Sequence, residues 1–314
     1  MGTIDAGSSD PDAGGREVPG TGGARLELAT PDGALLVAHR FAASSAHASV
    51  VIAPALGVAQ AFYRDFAAWL AQRGFDALTF DYRGIGESAP RTLRRYRASI
   101  DDWIHHDYEA AIREARARAG AAPLFVVGHS LGAQLLALLP SAAEVSALVS
   151  VAGGSGYWGG FPVRLRPMVL LMLHGAAPVS IPLAGYFPGR RLRMIGDLPG
   201  DVMRQWRRWC MNPDYLVGVE PGARDAYARA RFDLLSLTFT DDSMMPQHNV
   251  DALHAHLGSV RRESRRLSPA DAGGPVGHVG FFRRRYRDSL WPLAADWLDA
   301  RIGVGVSRAD VRVS

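Results

Sequence analysis

The sequence contains no lysine, because all 35 of its basic residues are arginine. A lysine Schiff base and a Ser-Lys dyad are therefore excluded as the chemistry of this chain. The single cysteine, Cys210, permits no disulfide within the chain, and we expect a reducing, cytoplasmic location. The first residues also lack a basic start followed by an apolar run, so we expect no signal peptide.

The arginines are scattered in short clusters, and the net charge is only +4. No aromatic residues are interleaved with them in a nucleic-acid motif, so we expect no nucleic-acid partner. His105 and His106 lie on adjacent faces of a predicted helix, and His254 and His256 are spaced H-x-H on another. Neither spacing brings two ligands to one helix face, and we predict no metal and no cofactor.

One long segment, residues 167–189, contains no Asp, Glu, Lys or Arg. By length it would span a bilayer, but three prolines and two glycines interrupt it. The pattern therefore predicts no stable membrane insertion and no single long helix. In a soluble protein such a segment must pack against something, and a ligand site, a membrane surface and a second copy in a homodimer are the candidates.

The chain is organised around the pentapeptide 128–132, which has the form G-x-S-x-G with Ser130 at its centre. An apolar run at 124–127 precedes it, and an Ala/Leu-rich run at 131–139 follows. This strand–turn–helix context predicts a strained turn that exposes a nucleophilic serine, with room only for very small side chains at Gly128 and Gly132. We predict that the neighbouring His129 points away from the serine and packs around the turn.

Apolar runs alternate with helical stretches along the chain, which predicts an α/β fold with a mostly parallel sheet covered by helices on both faces. We predict strands at 25–30, 34–41, 49–53, 75–80, 124–127, 145–151, 232–239 and 260–267. The charges of the last strand favour an edge position. We predict helices at 62–72, 100–118, 131–139, 250–257 and 290–302.

The alternation stops at Gly153 and resumes at Phe232. Residues 154–231 contain no clear strand but many Trp, Pro, Met and Arg residues, which indicates an inserted helical segment. We therefore predict five parts, namely a disordered tail at 1–24, a first core part at 25–153, the insertion at 154–231, a second core part at 232–302 and a tail at 303–314.

A nucleophilic serine needs a base, and the base needs an acid that orients it. Two later loops offer these groups. Asp241 and Asp242 follow the strand that ends at Phe239, and His278 lies in a glycine-rich loop before the closing helix. Because the carboxyl ends of parallel strands meet at one edge, these side chains are expected near Ser130. The residues alone leave the choice between the two aspartates open.

Together these pieces resemble the α/β-hydrolases, and among them the bacterial hydrolases allied to lysophospholipases and serine aminopeptidases. The resemblance rests on the glycine-rich loop at 80–88, the turn around Ser130, the acid loop that ends at Pro246, and Gly277-His278. It implies the α/β-hydrolase fold with the insertion as a helical lid. Since the acid of this family commonly lies four residues before a proline, it also favours Asp242.

The same resemblance implies an oxyanion hole built from the N–H groups of Leu131 and Leu56. Family members often carry His-Gly at the second position, whereas this chain has Ala55-Leu56-Gly57 there. A backbone N–H does not depend on the side chain, so the position is retained. The departure removes any basis for transferring the substrate preference of the His-Gly enzymes.

The implied activity is that of an esterase-like or lipase-like serine hydrolase with Ser130, His278 and Asp242 as its triad. It would cleave an ester, thioester or amide of an apolar small-molecule or lipid-like substrate through an acyl-enzyme. Acyl transfer by the same triad, and a catalytically silent binding protein on the same fold, are the alternatives. An apolar pocket is expected in the insertion. The predicted substrate-binding residues are Trp158, Met168, Leu171, Met172 and Trp206.

Overall fold

The computed structural model describes residues 23–258 and 260–303. The predicted tails, 1–24 and 303–314, lie almost wholly outside these residues. The strands are β1 (Ala24–Ala29), β2 (Leu35–Phe41), β3 (Ala48–Ala53), β4 (Phe75–Phe80), β5 (Leu124–His129), β6 (Ala147–Val151), β7 (Tyr186–Phe187), β8 (Leu198–Pro199), β9 (Asp233–Phe239) and β10 (Arg262–Leu267). The strands predicted for the core all form, with ends shifted by no more than two residues.

The helices alternate with these strands in the core and dominate the insertion. They are α1 (Arg64–Gln72), α2 (Ile100–Asp102), α3 (Glu109–Ala119), α4 (Leu131–Leu135), α5 (Arg166–Leu170), α6 (Ala177–Ala184), α7 (Gly200–Cys210), α8 (Ala223–Arg229), α9 (Gln247–His254), α10 (Pro269–Ala272) and α11 (Trp291–Asp299). Two π-helical segments, Trp103–Tyr108 and Leu171–Ala176, join α2 to α3 and α5 to α6. Helix α9 begins three residues earlier than predicted, directly after Pro246.

Eight strands form one sheet in the order β1-β2-β4-β3-β5-β6-β9-β10. Strands β4, β3, β5, β6, β9 and β10 run parallel, whereas β1 pairs with β2, and β2 with β4, in antiparallel fashion. Strand β10 lies at an edge, as its charged residues predict. The carboxyl ends of β3, β5 and β9 therefore lie along the same side of the sheet.

Helices cover both faces of the sheet. Successive residues of a strand point to opposite faces, so an apolar strand needs a cover on each side. In β5, Phe125 and Val127 join a buried apolar cluster that includes residues of α1 and α11. Val126, between them, joins a second cluster that includes residues of α3 and α4. All six residues of β5 are buried, as expected for a central parallel strand.

The insertion, residues 154–231, connects β6 to β9, which are neighbours in the sheet. Two features differ from the prediction. Strands β7 and β8 form a small antiparallel pair within it. Residues Arg166–Ala184 form one continuous 19-residue helix, here called the apolar helix, rather than several broken pieces.

The apolar helix continues past Pro178 because its wider π-helical segment and a distant side chain accommodate the missing N–H. The carbonyl of Leu173, five residues before Pro178, accepts a hydrogen bond from the guanidinium of Arg207 in α7. This helix is the one in the described chain that is long and apolar enough to cross a membrane by length and composition.

Candidate active site

The turn between β5 and α4 holds Ser130 in a conformation that non-glycine residues rarely adopt, with φ of 48° and ψ of −112°. The two flanking glycines are required by close contacts. A Cβ on Gly128 would lie 2.5 Å from the backbone of Ala133, and one on Gly132 would lie 2.2 Å from the carbonyl oxygen of Ala53. Only glycine fits at either position, which is why the serine is flanked in this way.

The turn brings Ser130 to the two residues predicted as its partners. The Oγ of Ser130 lies 3.1 Å from Nε2 of His278, and Nδ1 of His278 lies 2.8 Å from Oδ2 of Asp242. With a proton on Nδ1, the imidazole donates to the carboxylate and accepts from the serine hydroxyl. The acid is almost fully buried, while the imidazole keeps 13% of its surface exposed.

The two adjacent aspartates take different positions. Oδ1 of Asp242 accepts hydrogen bonds from the N–H groups of Met244 and Met245, so that both of its oxygens have partners. Burial raises the pKa of this carboxyl, but the neighbouring His278 and the two N–H groups outweigh burial and hold the pKa below its ordinary value. Asp242 is thus the aspartate in contact with the imidazole, and its role as the triad acid stays a prediction.

Asp241 instead fastens the loop that carries the histidine. Its Oδ2 accepts the N–H groups of Val276 and Gly277, at 2.8 and 3.1 Å, just before His278 in the chain. Its carboxylate is therefore turned toward the backbone of that loop, while Asp242 contacts the imidazole. Sequence reasoning noticed Asp241 only as a competitor for the acid position.

A buried chain of hydrogen bonds runs through the serine turn and links two loops. One is the loop after β3, here called the oxyanion loop because it carries the expected donor Leu56, and the other is the loop that carries His278, here called the histidine loop. The N–H of Ala55 donates to Oη of Tyr63 at 2.9 Å, and this hydroxyl lies 2.9 Å from Nδ1 of His129. Nε2 of His129 lies 2.9 Å from the carbonyl oxygen of His278. The donors and acceptors match when His129 is neutral with its proton on Nε2. We call Ala55, Tyr63 and His129 the buried relay.

Burial lowers the pKa of His129 to about 3, with a smaller contribution from the neighbouring His278, so the neutral form persists. The prediction that His129 packs around the turn agrees with its complete burial. Its bond to His278, and the part played by Tyr63, were missed. No local sequence pattern predicts a contact between Tyr63 and His129, because they are 66 residues apart in the chain.

The two N–H groups expected to form the oxyanion hole belong to Leu131, directly after the serine, and to Leu56, in the loop after β3. Leu131 is the first residue of α4, where the N–H has no acceptor within the helix. Leu56 follows β3 by three residues and precedes Gly57, which adopts a φ of 72°. Among the described residues, no acceptor is bonded to either N–H. Both donors are therefore available to a ligand.

The glycine-rich loop after β4 is tied down by the buried carboxylate of Asp81. This carboxylate accepts the N–H of Gln60 at 2.7 Å and the N–H of Glu87 at 2.9 Å. A Cβ on Gly86 would lie within 2.3 Å of the same carboxylate, so glycine is required there. Burial raises the pKa of Asp81 to about 6, partly offset by these hydrogen bonds. The loop motif thus supports the neighbouring oxyanion loop.

The five residues predicted to line a substrate pocket divide into two groups. Met168 and Leu171 are 53% and 62% exposed, which differs from the prediction. An enclosed acyl pocket buries its walls, but the helical period turns these two side chains outward. Met172 is buried, and Trp158 and Trp206 are half-buried, so these three remain candidates for a pocket wall.

One group of possible metal ligands occurs among the described residues, namely Asp32, Asp102 and His106, whose ligand atoms lie within 4.8 Å of one another. The carboxylate of Asp32 is bound by the guanidinium of Arg83 at 2.5 and 2.9 Å. That of Asp102 accepts the N–H of Ser99 in a helix cap. Both carboxylates already have partners, and the guanidinium would repel a cation, so we assign no metal to this group.

Comparisons with known proteins agree with this architecture. The family of serine aminopeptidases, S33, matches residues 44–181. Among solved structures, a soluble variant of monoglyceride lipase from Saccharomyces cerevisiae, in complex with a substrate analogue, is similar with a TM-score of 0.60 and 15% identity. The alignment covers 87% of this chain and 94% of that one.

Two further structures are similar to a comparable degree. An esterase from Pyrococcus furiosus has a TM-score of 0.58 and 14% identity, over 90% of this chain and 93% of the other. A monoacylglycerol lipase from Paleococcus ferrophilus has a TM-score of 0.57 and 16% identity, over 84% and 98%. The search of curated proteins gave no match. The sheet order, the serine turn, the partial family match and these structures agree, and the chain has the α/β-hydrolase fold.

Proposed function

We propose that this protein is a serine hydrolase that cleaves an ester, thioester or amide of an apolar, lipid-like substrate. The observation that carries the proposal is the continuous set of contacts from Ser130 through His278 to Asp242, with distances of 3.1 and 2.8 Å. The strained turn supports the same assignment, because backbone strain at an exposed nucleophile is typical of a functional site. The family match and the esterase and lipase neighbours support it as well.

The proposed reaction begins when Oγ of Ser130 attacks the carbonyl carbon and transfers its proton to Nε2 of His278. The N–H groups of Leu131 and Leu56 stabilise the oxyanion of the tetrahedral intermediate. The imidazolium then protonates the leaving alcohol, thiol or amine, and the acyl group remains on the serine. Throughout, the carboxylate of Asp242 stabilises the charged imidazolium.

Water completes the cycle in the second half of the reaction. His278 removes a proton from the water as it attacks the acyl-enzyme, and then returns the proton to the serine as the acid product leaves. An acceptor alcohol in place of water would give acyl transfer by the same steps. We place the enzyme in the cytoplasm, in keeping with the buried, unpaired Cys210.

The insertion supports an apolar acyl pocket in this proposal. The indole of Trp206 donates to Oη of Tyr215 at 2.9 Å, and Tyr215 contacts Gln134 of α4 at 3.2 Å. This contact fixes part of the insertion against the helix that starts at the serine turn. We propose that Trp206, Trp158 and Met172 contribute to the pocket wall and act as a lid over the site.

The proposal is tested with a fluorophosphonate probe and a series of p-nitrophenyl esters of increasing acyl length. The wild type should be labelled, and Ser130→Ala should abolish labelling and lower kcat by about 10⁴ to 10⁶. The value of kcat/KM should rise over the short esters, since each buried CH₂ contributes roughly 0.8 kcal/mol. Trp206→Ala should flatten this rise.

Three results would count against parts of the proposal. Labelling that persists in Ser130→Ala would move the nucleophile elsewhere. A wild type that is neither labelled nor active, although folded, would indicate a binding protein on the hydrolase fold. A flat chain-length profile in the wild type would remove the acyl pocket while leaving the nucleophile in place.

A further inference from the structure

The exposed apolar side chains of this protein are concentrated on and beside the apolar helix. Of the seven large hydrophobic residues that are exposed in the described chain, six lie between residues 163 and 192. They are Val163, Met168, Leu171, Val179, Leu183 and Leu192, with exposed fractions between 38% and 74%. Scattered exposed apolar residues need no explanation, but a contiguous set on one element indicates an interaction surface.

The apolar helix has one face on the protein and the other in solvent. Val169, Leu173, Ala177 and Ile181 recur every four residues and are buried. The exposed residues of the helix lie between these four positions and at its two ends, and none of them is Asp, Glu or Arg. A helix that spans a bilayer as a single segment is in contact with lipid all round, whereas this one packs along its length against the fold. It is therefore suited to lie on an apolar phase rather than to cross one.

Positive charge brackets this face at both ends. Arg164 precedes the helix, and Arg190, Arg191 and Arg193 follow it, all with exposed side chains. Within the described residues none of these four guanidinium groups has an acidic partner. The sequence has no Asp or Glu between Glu144 and Asp197 to neutralise them.

The insertion is hydrogen-bonded to segments at the carboxyl ends of the strands, which is the side of the sheet where Ser130 lies. The carbonyl of Gly185, just after the apolar helix, accepts the N–H of Arg95 from the loop following β4. The carbonyl of Gly160 contacts Nε2 of His248 in α9, which follows β9. Both contacts involve segments at the carboxyl ends of strands, so the exposed face belongs to the active-site end of the molecule.

We infer that the exposed face of the apolar helix, with the arginines at its two ends, docks on the surface of an anionic lipid bilayer. The helix lies in the plane of the interface with its apolar side chains among the acyl chains, and the guanidinium groups contact lipid phosphates. This surface is separate from the triad and goes beyond the proposed hydrolysis, because it concerns where the protein sits rather than which bond it cleaves.

A second copy of the chain fits the same face less well. A two-fold pairing of the helices brings either like ends or opposite ends together. Arginine occupies both ends. At the second end three arginines outnumber the one nearby carboxylate, Asp197, which already accepts the backbone N–H of Arg190, so cation meets cation in either orientation. The phosphate groups of a bilayer supply the negative charge that a dimer lacks. Charge complementarity therefore favours a membrane surface over a second copy of the chain.

The test is flotation of the full chain with vesicles of phosphatidylcholine, with and without phosphatidylglycerol. We expect binding to the anionic vesicles, weaker binding to the neutral ones, and a decrease with added salt. Leu183→Gln should weaken binding about tenfold or more, because one buried leucine is removed from the interface. Arg191→Glu should weaken binding to anionic vesicles at least about fivefold.

Two matched variants serve as controls. Leu35→Gln changes the one exposed large apolar residue of the described chain outside this cluster, which is 64% exposed. Arg262→Glu reverses an exposed arginine at the start of β10, at the opposite end of that strand from the site. Both should bind vesicles as the wild type does. Thermal denaturation of all four variants identifies any change that acts through folding.

Absence of vesicle binding, or equal weakening by test and control variants, would overturn the inference. So would a chain that dimerises in sedimentation experiments and loses dimerisation, but not vesicle binding, on Leu183→Gln. Binding needs no catalysis, and Ser130→Ala should float as the wild type does. Failure of the membrane inference and failure of the proposed hydrolase activity are thus separate results.

Discussion

The carboxyl edge of the sheet and the insertion are held in place by different forces. At the edge, polar groups are fixed one by one, as where Asp241 holds the N–H groups before His278 and the buried relay ties two loops to the serine turn. In the insertion, an apolar helix packs one face on the fold and leaves the other in solvent. Directional bonds position atoms to fractions of an ångström, whereas apolar burial is non-directional. Catalysis needs directional hydrogen bonds, whereas a docking surface needs only apolar burial.

The two regions also differ in buried charge. The buried carboxyl and imidazole groups with shifted pKa values are Asp81, Asp107, His129, Asp242 and His254, and all of them belong to the core. Burial causes the shift in all of them except Asp242, where His278 and two backbone N–H groups outweigh burial and lower the pKa. The stability of the active-site end should therefore depend on pH, while the docking face depends on its surface side chains.

The largest difference is expected between the two adjacent aspartates. Asp242→Asn should lower kcat by about 10⁴, because the amide cannot hold the imidazole in the required tautomer. Asp241→Asn keeps an oxygen that accepts the N–H groups of Val276 and Gly277, and should lower kcat no more than about tenfold. Steady-state kinetics with a p-nitrophenyl ester measure both.

The reverse order of these two effects would assign the orienting role to Asp241. Comparable losses would mean that the position of the loop matters as much as the charge on the imidazole. Either result would break the distinction between a residue that contacts the reacting groups and one that only positions their loop.

Much of this edge was predictable, because its signals are local. The strand at 75–80 was predicted with the bounds that β4 has, since a buried run ends at a glycine-rich loop. Ser130, Asp242 and His278, which the structure brings into contact, could be proposed from the sequence because the first two follow strands and all three occur in a recognisable order along the chain. The buried relay was not predictable, because Tyr63 and His129 are 66 residues apart and each resembles an ordinary core residue.

The apolar helix was mispredicted for a related reason. Prolines normally end a helix, and the sequence alone gives no sign that Arg207 of α7 would bond the free carbonyl of Leu173. The exposure of Met168 and Leu171 likewise depends on which face of the helix meets the fold. Because the helix has no charged face, its sequence pattern does not indicate which side packs against the fold.

The buried relay should have a moderate effect on both catalysis and stability. Tyr63→Phe leaves the N–H of Ala55 and Nδ1 of His129 without partners in the interior, which should lower the free energy of unfolding by about 1–3 kcal/mol. Because the relay joins the oxyanion loop to the histidine loop, kcat should fall about tenfold, an estimate based on one lost hydrogen bond, with KM nearly unchanged.

The matched control for this variant is Tyr108→Phe. The hydroxyl of Tyr108 is buried with no hydrogen-bond partner among the described residues, so its removal should not destabilise the fold. Chemical denaturation and steady-state kinetics of both variants give the comparison. Equal effects of the two substitutions, or a loss of stability in Tyr63→Phe with no change in kcat, would reduce the relay to ordinary core packing.

The response of the core to acid depends on His129. The pKa of His129 is about 3 in the folded chain and has an ordinary value of 6.5. As pH falls below 6.5, His129 takes up a proton in the unfolded chain but stays neutral in the folded chain. The contribution of His129 to the free energy of unfolding is therefore complete above pH 6.5 and is lost progressively toward pH 3. Within this range the contribution of His129 lowers the free energy of unfolding by at most about 1.4 kcal/mol for each pH unit.

Other groups act in the opposite direction over part of this range, because burial raises the pKa of Asp81 to about 6 and that of Asp107 to about 7. The wild-type curve alone therefore does not isolate His129. The difference in unfolding free energy between the wild type and His129→Gln does, since the carboxylates are common to both. This difference should shrink as pH falls from 6.5 toward about 4, as measured by urea denaturation at each pH. A difference that stays constant would mean that His129 takes up a proton in the folded core, and the relay could not then keep the tautomer on which its hydrogen bonds depend.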